Sequence, residues 1–168
     1  MDNFHLFLAS DDSLLTHVNN TAGEFVVELP RIYRLDGSSE CAISEITFVY
    51  EFEQLTDRIY VCADVIDDSY VRGTTLTVLR SIDVDTDTKV DLSFNALCYI
   101  KVQTDELRRI RIFIRDRNLK VNRFKFDRLY CALHFRFQKQ TMDSIRASFQ
   151  EMATALRRHI TRASTCQS

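Results

Sequence analysis

Leu129-Tyr-Cys-Ala-Leu-His-Phe-Arg-Phe-Gln138 is the stretch of this chain that decides its fold class. Apolar side chains take its odd positions, and these are Leu129, Cys131, Leu133, Phe135 and Phe137. The even positions carry Tyr130, Ala132, His134, Arg136 and Gln138. This alternation has a period of two residues, and it predicts a β-strand that turns its odd side chains toward a core and its even ones outward.

Apolar stretches that also suit strands recur along the first 138 residues. They cover residues 4–8, 25–29, 41–52, 58–66, 76–84, 90–94, 98–102 and 110–114. We expect Pro30 to end the second stretch, because proline cannot donate a hydrogen bond to a strand ladder. About eight or nine strands without a helical period between them predict an all-β antiparallel sandwich or barrel. Among these folds, a single eight-stranded jelly-roll sandwich fits the strand count best.

The apolar period changes after Gln138. A seam with alternating spacings of three and four residues follows, formed by Met142, Ile145, Phe149, Met152, Leu156, His159 and Ala163. It predicts an amphipathic helix, so the chain divides into a jelly-roll domain at 1–138 and a helical basic tail at 139–168. The tail carries a net charge of +3, against −5 for the rest of the chain. Two interpretations stay open: the helix packs on its own sandwich, or its seam docks a partner or a second copy.

Composition narrows the class of protein. Apolar residues make up 45% of the chain and charged residues 27%, which is typical of a soluble globular domain. The first residues lack the basic and apolar regions of a secretory signal, so we expect a protein that is not secreted. The five cysteines are an odd number without a C-x-x-C pair. We expect them to be free thiols in a reducing compartment.

Residue patterns typical of catalysis or metal binding do not stand out. The histidines are scattered along the chain, at His5, His17, His134 and His159. Asp83, Asp85 and Asp87 begin like a calcium loop. Thr88 and Phe94 then occupy the positions where an EF-hand needs Gly and Glu, so a solvated acidic turn is the simpler interpretation. The sequence therefore predicts no enzyme activity, no catalytic residues, no metal and no cofactor.

A basic stretch precedes the last strand. Residues 108–128 contain nine Lys or Arg, partly neutralised by the acids at 105, 106, 116 and 127. The isoleucines at 110, 112 and 114 alternate with Arg109, Arg111 and Phe113. We therefore expect the isoleucines to face the core and the arginines to line the outer face of a strand. Direct nucleic-acid binding is a secondary interpretation, because no aromatic stacking platform accompanies the arginines.

The order of five strand motifs resembles that in one family of capsid proteins. The motifs are Phe25-Val-Val-Glu-Leu-Pro30 with Leu35, Cys41-Ala-Ile-Ser-Glu-Ile46, Ile59-Tyr-Val-Cys-Ala-Asp-Val-Ile66, Leu79-Arg80 and Leu133-His-Phe-Arg136. In this order they resemble the penton, or minor capsid, proteins of Polinton/Maverick elements and adintoviruses, over about residues 4–137. The chain departs from the family at Asp67-Asp-Ser-Tyr-Val-Arg-Gly-Thr74, where a Pro-Gln element and a Val-Gly-Asp are expected.

The resemblance implies a structural protein rather than an enzyme. Members of that family are single jelly rolls that form homopentamers at the fivefold vertices of an icosahedral capsid, which is built mainly from a double-jelly-roll major capsid protein. For this chain the resemblance implies a homopentamer, a double-jelly-roll major capsid protein as partner, and a place at the capsid vertex of a virion. The basic tail would suit contact with an internal cement protein, the genome or a membrane.

Spacing and strand parity suggest where such contacts would lie. The tail seam supplies Met142, Ile145, Phe149, Met152 and Leu156, and the outward face of the last strand supplies Tyr130, His134 and Arg136. Three other functions stay open. One is a cellular jelly-roll protein-binding module of the cytokine or lectin kind, which would usually be secreted. Another is a cupin-like enzyme, which would bind a metal. The third is a nucleic-acid-associated structural protein, whose affinity would fall steeply with salt.

Overall fold

The computed structural model of the chain describes residues 3–35, 38–49, 57–84, 89–120 and 128–137, together with Gln150. The chain divides into two units between Phe137 and Gln138. Within the described ranges it forms eleven strands: β1 (Phe4–Ala9), β2 (Glu24–Arg34), β3 (Ser39–Val49), β4 (Arg58–Ala63), β5 (Ser69–Val71), β6 (Thr74–Leu76), β7 (Val78–Asp83), β8 (Lys89–Ser93), β9 (Ile100–Lys101), β10 (Glu106–Asp116) and β11 (Leu129–Phe137). The predicted helical tail lies outside the described residues apart from Gln150.

The strands form two main antiparallel sheets and one separate hairpin. Sheet A has the strand order β1-β11-β3-β8, and β9 also pairs with β3. Sheet B has the order β2-β10-β4-β7, and β5 pairs with β6 alone. Every registered pair is antiparallel. The all-β antiparallel class predicted from the sequence is therefore confirmed.

Inward side chains from both sheets make one continuous core. Its largest fully buried members are Phe25, Phe48, Phe135, Ile43, Ile46, Ile59, Ile66, Leu79, Leu107, Ile110 and Ile112. The predicted parity of β11 is confirmed for Leu129, Cys131, Leu133 and Phe135, which are all buried. These four residues share one face of the sheet because successive side chains of a strand point to opposite faces.

An aromatic stack joins the two sheets near the start of β1. The ring of Phe4 on β1 stacks on Phe135 of β11 at 4.9 Å between centroids and on Tyr33 of β2 at 5.0 Å. Phe135 is the fully buried member of this stack. Stacked aromatic rings add specific attraction to the large apolar area that they bury, so the stack stabilises the contact between sheet A and sheet B.

The prediction that Pro30 ends its strand is wrong. β2 continues through Pro30 to Arg34. Its register with β10 is interrupted there, because Arg109 pairs with Glu28 whereas Leu107 pairs with Tyr33. Within the described chain β2 also forms an edge of sheet B. Proline is tolerated at edges and irregularities, where its missing N–H removes no ladder bond.

The hairpin of β5 and β6 was not predicted from the sequence. Its two central residues, Arg72 and Gly73, have φ angles of 49° and 87°. Positive φ at both positions is typical of the two-residue type I′ turn, which matches the twist of the flanking strands. Val71-Arg72-Gly73-Thr74 carries only one glycine as a signal. The strand predicted at 76–84 accordingly divides into the end of β6 and the whole of β7.

Candidate functional site

The outer face of β11 lies in the middle of sheet A, between β1 and β3. It carries Tyr130, His134 and Arg136, the three residues that strand parity predicted to point outward. Tyr130 is exposed, and His134 and Arg136 are half-buried. The structure therefore brings these three side chains to one face. The predicted seam residues of the tail, Met142, Ile145, Phe149, Met152 and Leu156, lie outside the described residues.

A groove of about 220 Å³ crosses this face beside Tyr130. We call it the outer groove, and its lining residues are Phe7, Leu8 and Ala9 of β1, Glu45, Ile46 and Thr47 of β3, and Tyr130, Cys131 and Ala132 of β11. The rings of Phe7 and Tyr130 form two of its walls. Phe7 is 74% exposed to solvent and Tyr130 is 44% exposed. Phe and Tyr are enriched in the surfaces through which proteins contact one another.

The register of the three strands explains why a groove forms here. Ala132 lies between Phe7 on one neighbouring strand and Glu45 on the other. Tyr130 lies between Ala9 and Thr47 in the same way. Directly opposite side chains are close neighbours on a sheet face. The small alanines therefore leave a depression between larger side chains.

A bulge in β3 sets which side chains reach the groove. Ala132 pairs with Glu45 and Leu133 pairs with Ile43, so Ser44 is an extra residue on the β3 side. The Ser44 hydroxyl donates a hydrogen bond of 3.1 Å to the carbonyl of Ala132. Bulges re-aim the side chains that follow them. Here the bulge lets Ile43 stay in the core while Glu45 points outward, which gives the groove its one carboxylate.

A second group of side chains, the histidine cluster, lies further along the same face. It consists of His5, His134, Tyr99, Arg136 and Glu40. The imidazoles of His5 and His134 stack at 4.4 Å between centroids with an interplanar angle of 16°. The Tyr99 hydroxyl lies 2.6 Å from Nδ1 of His134. Arg136 joins the cluster to β3 through a 2.7 Å bond from its Nε to Glu40.

The surroundings of His134 disfavour the protonated form of its imidazole. Burial lowers the pKa of His134 below its ordinary value of 6.5, and the electrostatic effects of His5 and Arg136 lower it further. Desolvation and nearby like charges both disfavour the protonated imidazole. The cluster therefore favours a neutral His134 whose Nδ1 accepts the Tyr99 hydroxyl.

The outer face of sheet B differs in character from that of sheet A. The isoleucines at 110, 112 and 114 are buried and Arg109 and Arg111 are exposed, so the predicted orientation of this strand is confirmed. Arg111 and Arg115 both pair with Glu24. Arg115 also lies 4.6 Å above the ring of Phe113. The negative charge of Glu24 partly neutralises these two arginines, which weakens their attraction for the phosphates of a nucleic acid.

The acidic turn at 83–87 is described only at its first member. Asp83 accepts a 2.6 Å hydrogen bond from Nε of Arg58. That bond, with the charge of Arg58, holds the pKa of Asp83 below its ordinary value. Asp85 and Asp87 lie outside the described residues. Across the described ranges, no three His, Cys, Asp or Glu side chains are grouped so that they could hold a metal ion.

The described cysteines are free thiols of two kinds. Cys41, Cys62 and Cys131 are buried, whereas Cys98 is exposed. Burial raises the pKa of Cys62 and of Cys131 from 9.0 to about 12. Burial also raises the pKa of Cys41, and the neighbouring Cys131 adds to this effect. Cys166 lies outside the described residues.

Thiol labelling of the native protein is expected to select Cys98. In a Cys166→Ser variant, a maleimide at pH 7.5 should add one label quickly, and four labels after unfolding in urea. A pKa near 12 lowers the thiolate fraction of a buried thiol by roughly three orders of magnitude, and the thiolate is the nucleophile. Mass spectrometry counts the labels. The matched control, Cys98→Ser with Cys166→Ser, should take none while folded, and rapid labelling of that control would contradict the prediction.

Comparison with known proteins does not assign this chain to a family. No protein-family model matches the chain, and no curated protein matches it. No helix in the described part of the chain has the length and apolar character that crossing a bilayer requires. What can be proposed for this chain therefore depends on its own sequence motifs, fold and surface.

Sequence reasoning found the β11 side of this surface and missed the rest. The outward parity of His5 and Phe7, opposite to buried Leu6 and Leu8, was a usable signal. Nothing in the sequence pointed to Tyr99, which belongs to an apolar stretch and reaches His134 only through the tertiary fold.

Proposed function

We propose that this chain is a single jelly-roll capsid protein of the penton kind, which assembles into homopentamers at the fivefold vertices of an icosahedral capsid. The observation that carries the proposal is the order of strands in sheets A and B. The motif order that resembles the penton family supports it independently. In this proposal the chain is a structural protein and has no catalytic residues.

The strand order supports the jelly-roll part of the proposal. In the part of the chain that the structure describes, eight strands build the two sheets if the β5–β6 hairpin and short β9 are set aside. In chain order, sheet A combines the first, eighth, third and sixth of these strands, and sheet B combines the second, seventh, fourth and fifth. A jelly roll is a double-sheet sandwich of eight strands with two Greek keys. The strands of a jelly roll are divided between its two sheets in the same order as the eight strands of this chain, which supports the proposed topology.

The surface supports the assembly part of the proposal. A closed ring needs a heterologous interface, in which two different patches of each copy meet. The outer face of sheet A offers the outer groove with exposed Phe7 and Tyr130. The outer face of sheet B offers ion-paired arginines around Glu24. Two such different faces suit head-to-tail contact better than contact between identical patches.

The solution mass of the purified chain tests this function directly. We expect multi-angle light scattering to give five times the 19.6 kDa mass of the chain. A version ending at Gln138 shows whether the sandwich or the tail holds the ring together. A stable trimer would favour the cellular binding module instead. A monomer that stays monomeric when a double-jelly-roll major capsid protein is added would contradict the proposal.

A further inference from the structure

The first strand of the chain is held to sheet A by a pair of histidines. In the described structure β1 forms the edge of sheet A and pairs with β11 from Phe4 opposite Phe135 to Ala9 opposite Tyr130. His5 lies directly opposite His134 in this register. Their rings stack at 4.4 Å, so the two imidazoles form a cross-strand contact.

His134 also joins β11 to the segment that precedes β9. Its Nδ1 lies 2.6 Å from the Tyr99 hydroxyl. For Nδ1 to accept this bond, the neutral ring must carry its proton on Nε2. The Arg136 guanidinium lies 3.4 Å from the centroid of the Tyr99 ring. One imidazole therefore contacts β1 on one side and the Tyr99 segment on the other.

We propose that His5 and His134 form an acid-sensitive latch, which holds β1 and the Tyr99 segment against β11 near neutral pH and loosens them when His134 takes up a proton. A proton on Nδ1 of His134 removes the acceptor of the Tyr99 hydroxyl. The same proton places a positive charge on the ring that stacks on His5, beside the charge of Arg136. Both changes act against the contacts that hold the edge strand.

Among the described residues, the surroundings of His134 do not offset its added charge. β11 contributes Arg136, β3 contributes Glu40, β9 contributes Lys101 opposite Glu40, and the segment before β9 contributes Tyr99. Within Phe4–Ala9, β1 adds no titratable group besides His5. Glu40 is the one carboxylate among these groups, and it already bonds Arg136 at 2.7 Å. Like charges that meet on a sheet face are destabilising.

The direction of the pH response follows from the state of His134. Its pKa in the folded protein is lowered, first by burial and then by His5 and Arg136. The unfolded or opened form therefore binds the proton at higher pH than the closed form. The stabilising contribution is complete above the unfolded value of about 6.5 and is lost as the pH falls below it.

Hydrogen exchange of the full-length protein tests the latch. We compare amides of β1 with amides of β4 at pH 7.5 and 5.5, after correction for the intrinsic exchange rate. Opening of β1 should increase several-fold at pH 5.5, while β4 changes little. A His5→Phe, His134→Phe double variant keeps two stacked rings without titratable groups, and its β1 should lose this acid response.

Control variants separate the latch from a general effect of acid. His17 bonds Glu28 outside the cluster at 2.9 Å, so His17→Gln should keep the response of β1. If the double variant does not fold, His5→Gln at an exposed position should still reduce the response. An unchanged acid response of β1 in the double or His5→Gln variant would overturn the proposal. Equal loss of protection in β1 and β4 of the native protein would overturn it as well.

Discussion

Replacing Phe135 with alanine is expected to lower the free energy of unfolding by about 3–5 kcal/mol, the usual cost of removing a buried aromatic side chain. Phe135 is fully buried and stacks on Phe4 at 4.9 Å. Its removal would leave a cavity between the sheets, and Phe4 would lose one of its two stacking partners. Urea unfolding followed by circular dichroism measures the change.

A surface aromatic provides the matched control for this substitution. Tyr70 on the β5–β6 hairpin is 80% exposed, so Tyr70→Ala should change the free energy of unfolding by less than about 0.5 kcal/mol. Both variants are compared at one protein concentration, because assembly would couple stability to concentration. If Phe135→Ala cost no more than Tyr70→Ala, the inward position of Phe135 would be wrong.

Changing both walls of the outer groove to carboxylates is expected to convert the proposed pentamer into a monomer. Phe7 and Tyr130 are the two exposed aromatic rings of the groove. Buried aromatic side chains commonly carry much of the binding energy of an interface. A Phe7→Asp, Tyr130→Asp variant would have to bury two unpaired charges in the same contact, which is costly. Light scattering should therefore show a fivefold fall in mass.

A control at another exposed apolar position shows whether the groove itself matters. Leu15 is fully exposed in the loop between β1 and β2, so Leu15→Asp adds charge outside the groove and should leave the mass unchanged. Circular dichroism confirms that each variant is folded. If the double variant remained pentameric, the outer groove would not be part of the interface, and the proposal of a pentamer would be unaffected.

The sequence predicted local strand faces better than the contacts between strands. The parity of β11 and of residues 110–114 in β10 was readable because the inward positions are buried and apolar, although the outward residues Ala132 and Phe113 are buried as well. The neighbour of each strand was not readable, because alternation says nothing about which strand supplies the opposite side chain. The pairing of His5 with His134 and the approach of Tyr99 therefore needed the tertiary structure.

Two predictions from the sequence were wrong because the tertiary structure changed the local environment of the residues. Pro30 did not end β2, because it lies at an edge where the register with β10 is already interrupted. The stretch at 98–102 gave only the two-residue strand β9. Its apolar residues suited several environments, and Val102 lies outside the named strands in an isolated bridge with Ile66. The tail seam cannot be compared in the same way, since it lies outside the described residues.

The pairing of β1 with β11 has a consequence for how the chain is made on the ribosome. β1 is synthesised before the other described strands, yet its neighbour in sheet A, β11, is synthesised after them. At ordinary translation rates, β1 would wait on the order of ten seconds before its partner is synthesised. Leu6 and Leu8, which are buried in the finished sandwich, would be uncovered during that time. Such non-local pairing also slows folding, so newly made chains would benefit from a chaperone that shields this end.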